Sequence, residues 1–169
     1  MKSVWRAAIP LVMALGLAGC SAPSGSTAYL VNGKAVSEKQ IDIASAGCAK
    51  LTNQTVAEVR ASMMNSVLAG SLGDAIAAKT NTPVTDDERK TLLDASQQGR
   101  LMQEDPDCNN VAQGLATFLI VLEKVGEEPF GQHVAELDVK VNPRYGTWDP
   151  AQGAAIGSGS LSERDTTRP

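Results

Sequence analysis

The chain has 169 residues, 43% hydrophobic and 20% charged, a balance that suits one globular domain and argues against wholesale disorder or a multi-span membrane protein. A formal charge of -4 without a basic block argues against nucleic acid as a partner, because phosphate binding demands clustered Lys and Arg. Aromatics supply only 4%, so the core must come from Leu, Val, Ile, Met and Ala, a mixture that favours packed helices over sheet sandwiches. Three cysteines are an odd number, so one of them needs a fate other than an internal bridge.

In chain order, Lys2 and Arg6 precede an apolar stretch from Ala7 to Ala18. As a helix, twelve residues cover only ~18 Å of a hydrocarbon core of about 30 Å, too little to span it. Residues 1–19 therefore read as a secretory signal peptide. The stretch ends in Leu17-Ala18-Gly19-Cys20, which resembles a bacterial lipobox. That resemblance implies lipidation of the Cys20 thiol, cleavage before Cys20, and attachment to the extracytoplasmic face of the cell membrane. The alternative is an ordinary signal peptide followed by a coincidental cysteine. Two or more acyl chains hold a protein stably at a bilayer, whereas one does not. Loss of Lys2 and Arg6 leaves 13 basic against 19 acidic side chains, a net charge of -6. Residues 20–27 form a small, polar, flexible tether of ~15 Å average reach, so the folded part sits close to the membrane.

Residues 28–148 form the expected domain. Ala28 to Val31 is a strand candidate, and Asn32-Gly33 is a turn signal. Three helix starts share one chemistry, a Ser or Thr with Gln or Glu three residues on: Ser37 with Gln40, Thr55 with Glu58, Thr85 with Glu88. The first helix carries Ile41, Ala44, Cys48 and Leu51 on one face. The second carries Val56, Val59, Met63 and Val67 and runs to about Lys79, with a weak point or bend expected at Gly70 and Gly73. The third, from Thr85 to about Gln98, is expected to stop at Gly99. A fourth follows Asp105-Pro106-Asp107 and carries Val111, Leu115, Phe118, Leu119, Leu122 and Val125 before Gly126; as the most apolar helix it belongs at the centre. Glu136 to Val141 alternates with period two, the mark of a half-buried strand, and its natural partner is Ala28 to Val31. The expected fold is thus mainly α, a four-helix orthogonal domain closed by a small two-stranded antiparallel sheet that joins the two ends. Residues 149–169 lose all periodicity and read as a disordered tail.

With Cys20 assigned to lipid, Cys48 and Cys108 remain as a pair outside the reducing cytosol, each on the apolar register of its helix. A disulfide between them is expected; the alternative is two separate buried thiols. His133 is the single histidine, and a metal site built on it would need carboxylates for every other ligand; it reads as a partly exposed residue at a strand start. No Gly-x-Ser-x-Gly or phosphate loop occurs, Asp86, Asp87 and Glu88 serve a helix start, and Glu127-Glu128 a solvated loop. No catalytic, cofactor-binding or metal residue is assigned. Met63, Met64 and Met102 are candidates either for an adaptable apolar site or for the core.

The strand, then Val31-Asn32-Gly33-Lys34-Ala35-Val36-Ser37, then an amphipathic helix resembles the opening of the N-terminal domain of SurA/PrsA-type envelope chaperones. Pro83-Val84-Thr85-Asp86-Asp87-Glu88 resembles that family's recurrent helix start, and Val139 to Trp148 resembles the return of its last strand. The resemblance covers about 28–148 and implies an apolar groove that holds unfolded or partly folded exported polypeptides. The parvulin-type prolyl isomerase module of many relatives has no counterpart after Trp148, so no isomerase activity is implied. The expected function is a lipid-anchored, non-catalytic chaperone-like domain; the alternatives are an adaptor lipoprotein for one folded envelope partner and a metal or small-molecule binding lipoprotein.

Overall fold

The computed structural model describes residues 23 and 25–157; Cys20 with its leader lies outside the described residues. The architecture is mainly α with small antiparallel sheets. Strands β1 (Thr27–Val31) and β2 (Lys34–Ser37) form a hairpin. Its turn residues Asn32 and Gly33 have φ of 49° and 78°, the left-handed pair that a two-residue hairpin with the native twist requires. β3 (Val139–Val141) pairs with the free edge of β1, placing Tyr29 opposite Val141. The two ends of the domain therefore meet as the alternation at 136–141 predicts. β2 is an addition to the expected sheet: four residues of mixed polarity carry too little pattern to stand out.

The four expected helices are α1 (Glu38–Thr52), α2 (Val56–Thr80), α3 (Asp86–Asp94) and α5 (Pro106–Val125). Ser37–Gln40, Thr55–Glu58 and Thr85–Glu88 all form reciprocal capping boxes, so local side-chain chemistry fixes three helix starts. Two shorter helices, α4 (Gln97–Met102) and α6 (Glu127–Ala135), correct the expected boundaries. The third helix breaks at Ala95-Ser96, not at Gly99. Ser96 restarts the chain by accepting from Gly99 N at 2.9 Å. Gly99 sits inside α4 because a Cβ there would stand 2.2 Å from the Leu93 carbonyl oxygen. Glu127-Glu128 begin α6 rather than a loop, and His133 lies in its last turn, not at a strand start. Consequently the expected strand at 136–141 shortens to β3, with Glu136 capping α6.

α5 is central, packing against α1, α2, α3, α4 and α6. The main core joins Tyr29, Ile41, Leu68, Leu72, Ile76 and Val121, all fully buried. Gly70 and Gly73 do not bend α2, which runs unbroken. They are where α2 touches α5: a Cβ on Gly73 would lie 2.7 Å from Phe118 Cα, and one on Gly70 2.9 Å from Gly114 Cα.

The segment expected to be disordered from 149 is ordered through the last described residue, 157. β4 (Thr147–Asp149) and β5 (Ala154–Ile156) form a second hairpin, Trp148 packs on the main core, and Ala155 N donates to Asn65 Oδ1 of α2 at 3.2 Å. Three-residue strands have no readable period, and docking on α2 supplies what the local sequence lacks. Ahead of this hairpin, the Tyr145 hydroxyl donates to Glu38 Oε2 at 2.5 Å, and Arg60 Nη2 donates to Glu38 at 3.0 Å and to the Tyr145 oxygen at 2.7 Å. This cluster ties the exit of β3 to the starts of α1 and α2.

Candidate functional site

The lipidation candidate Cys20 lies outside the described residues. Cys48 and Cys108 are brought together at disulfide distance, with Cα atoms 4.7 Å apart, and both are almost fully buried. Local chemistry positions them. Asp105 caps α5, its Oδ1 accepting from Asp107 N and Cys108 N at 2.9 and 3.2 Å, while its Oδ2 accepts from Lys50 of α1 at 2.9 Å. The Lys50 ammonium, aided by these backbone donors, holds the Asp105 carboxyl below the usual range. Gly47 lets the two helices close, since a Cβ there would come within 2.8 Å of Cys108 N. The pair therefore fastens α1 to the first turn of α5.

Above this fastening, α1, α2 and α5 enclose a cleft of about 480 Å³. α1 presents Gln40, Ile43 and Ala44; α2 presents Val67, Gly70, Ser71 and Asp74; α5 presents Asp107, Asn110, Val111 and Gly114. Each set recurs at three and four residues, so each is one face of its helix. Ala44 and Val111 are buried, and Ile43 is 40% exposed at the rim. With no side chain at Gly70 or Gly114, the backbones approach closely and the floor is smooth. The cleft thus combines an apolar base with polar walls, the composition of a site that holds one or two side chains. A second cleft, of about 590 Å³, lies between α2, α3 and α5, with Gln103 just past α4 at its edge, and is lined mainly by polar residues.

Electrostatically the region is acidic. Among the described residues, Asp74, Asp87 and Asp107 make no ion pair. Arg89 is engaged by Asp86, and Lys90 by Asp94. Glu88 pairs with Lys124 at 2.5 Å; that partner, with the Thr85 backbone donor, lowers its carboxyl to about 2.

His133 Nδ1 lies 3.5 Å from Glu136 Oε2, and no group of three or more His, Cys, Asp or Glu among the described residues is arranged to hold a metal. Met64 is in the main core, while Met63 and Met102 pack around the cysteines; the methionines fill core rather than the cleft. The resemblance implies an apolar groove without placing it; what the sequence missed is where a cleft lies and which residues line it. Its one signal was the set of helix-internal glycines, since a glycine tolerated inside a helix usually marks a close approach. No helix among the described residues is long and apolar enough to cross a membrane. No protein-family model matches this chain, and no curated protein or solved structure matches it either, so the resemblance to SurA/PrsA-type chaperones stands on its short motifs alone.

Proposed function

We propose that this protein is a lipid-anchored, non-catalytic, polypeptide-binding lipoprotein that assists exported proteins at the extracytoplasmic face of the membrane. The cleft between α1, α2 and α5 carries the reading: an apolar base for an aliphatic side chain, with the Asn110 amide and the Gln40 side-chain N–H at its walls to meet a backbone, while Ser71 is held by Val67 and Tyr29 and the Gln40 oxygen by Ser37. Two features support the extracytoplasmic location: the Leu17-Ala18-Gly19-Cys20 sequence and the Cys48–Cys108 pair, which suits an oxidising compartment.

A second reading, an adaptor for one envelope partner, is favoured by one observation. The large hydrophobics that stand exposed among the described residues are Ile43, Val56, Leu119 and Ile156, one each on α1, α2, α5 and β5, and only Ile43 borders the cleft. A small cleft with separated apolar residues suits a defined segment better than a broad range of unfolded chains. The experiment is aggregation of an unfolded model client with the processed protein in stoichiometric excess, combined with cross-linking in cells. Suppressed aggregation and heterogeneous adducts support the chaperone-like reading. No suppression with one stoichiometric adduct supports the adaptor, and no polypeptide adduct at all rejects both.

A further inference from the structure

The two clefts adjoin and share part of their lining. Asp74, Asn110 and Gly114 line both, and Gly114 is the crossing point, where the α5 backbone packs against Gly70 of α2 and the two backbones form a low saddle between the α1 side and the α3 side. The contiguous volumes are about 480 and about 590 Å³, more than one side chain occupies, and their arrangement across rather than along α5 suits an extended strand.

Charge then selects the occupant. Four carboxylates line the two clefts, Asp74, Asp86, Asp87 and Asp107, against two cations, Arg89 and Lys90. Both cations are already engaged, by Asp86 and Asp94. Among the described residues, Asp74 and Asp87 make no ion pair, and Asp107 feels only Lys50, which is itself paired with Asp105, so negative charge is left over α2, α3 and α5, while the apolar base of Ala44, Val67 and Val111 sits at one end. An anionic or purely apolar segment would leave these carboxylates facing like charge or hydrocarbon; Lys or Arg beside an aliphatic residue would meet both features.

Resting on the polypeptide-binding reading, we infer that the two clefts act as one groove that docks an extended cationic segment of a partner polypeptide, with an aliphatic residue in the α1–α2–α5 cleft and Lys or Arg side chains against Asp74, Asp87 and Asp107.

The test is fluorescence anisotropy of the full chain, purified in neutral detergent, with a labelled peptide of alternating Lys and Val and with its Glu-for-Lys counterpart. The Lys peptide binds saturably and more weakly as salt rises, and the Glu peptide binds at least about tenfold more weakly. Asp74→Lys with Asp107→Asn removes that preference, and Asn110→Trp, which fills the saddle, weakens the Lys peptide. Asp74→Asn with Asp107→Asn is the milder companion should the first pair fail to fold, and it halves or further reduces the preference. Equal binding of both peptides, no binding of either, or indifference to these substitutions overturns the inference. So does a dimer in sedimentation that Asn110→Trp abolishes, since a second copy would then own the groove. Cross-linking of exported polypeptides in cells separates this failure from the broader one. Adducts unchanged in the charge variants reject the cationic occupant but leave polypeptide binding standing, whereas absence of adducts in the unsubstituted protein rejects polypeptide binding itself.

Discussion

Replacing both Cys48 and Cys108 by Ala removes the fastening between α1 and α5, and its cost follows from the chain between them. The bridge closes a sequence separation of 60 residues. The chain-entropy expression, -2.1 - 1.5R ln n, gives about 14 cal/mol/K for such a loop, or ~4 kcal/mol at 25 °C. Unfolding entropy of about 2.1 cal/mol/K per residue over about 130 ordered residues turns that loss into a fall in Tm of ~15 °C. The assay is thermal and urea unfolding followed by circular dichroism, comparing the double variant with the unreduced protein. The helices still form, because the capping boxes of α1, α2 and α3 do not involve the cysteines. A loss below about 1 kcal/mol refutes the reasoning, being well under the usual range for a native disulfide. So do two reactive thiols in the denatured, unreduced protein.

Three further outcomes follow from single features. Gly73→Ala destabilises, because contact with the Phe118 backbone costs ~1–3 kcal/mol of overpacking against about 1 kcal/mol of helix propensity gained; Gly131→Ala in α6, where nothing lies within 4 Å of an added Cβ, stabilises by up to about 1 kcal/mol, and urea midpoints distinguish the two. Lowering the pH destabilises the fold. Glu88 is held at about 2 by Lys124 and the Thr85 backbone, and the Asp105 and Glu136 carboxyls are lowered by Lys50 and Lys79. Carboxyls depressed in the folded state stabilise it above their unfolded values, near 4, and that stability is lost as pH falls toward 2; urea midpoints that stay flat from pH 5 to about 2 would contradict this. Cys20→Ser moves the protein from the membrane to the soluble fraction on cell fractionation, and retention at the membrane would contradict the lipid anchor.

Local chemistry made much of the fold legible. Ser37, Thr55 and Thr85 announce their helices because a capping box is complete within four residues, and Tyr29 meets Val141 because alternation is visible even in a short strand. Where the partner lies beyond one helical turn and no pattern points to it, reading the chain failed. Gly99 looks like a stop signal, yet its role is to clear the Leu93 carbonyl oxygen. Gly70 and Gly73 look like weak points within a helix, yet they are the contact with α5. α6 starts at Gly126 without a side-chain cap, and β4 and β5 are three residues each, so neither leaves a pattern to find. The position of the groove was illegible for the same reason: its base and walls are faces of separate helices, and only their packing puts Ile43, Asp74 and Asn110 around one space.

The most direct measurement of the central claim places a photo-activatable residue at Ile43 in the full chain in cells, with Glu123 on the far part of α5 as the control position, and identifies what each cross-links. Adducts with exported polypeptides at Ile43 and not at Glu123, reduced by Asn110→Trp, are the predicted result. No adducts at Ile43, or the same adducts at both positions, would contradict a polypeptide-binding groove between α1, α2 and α5.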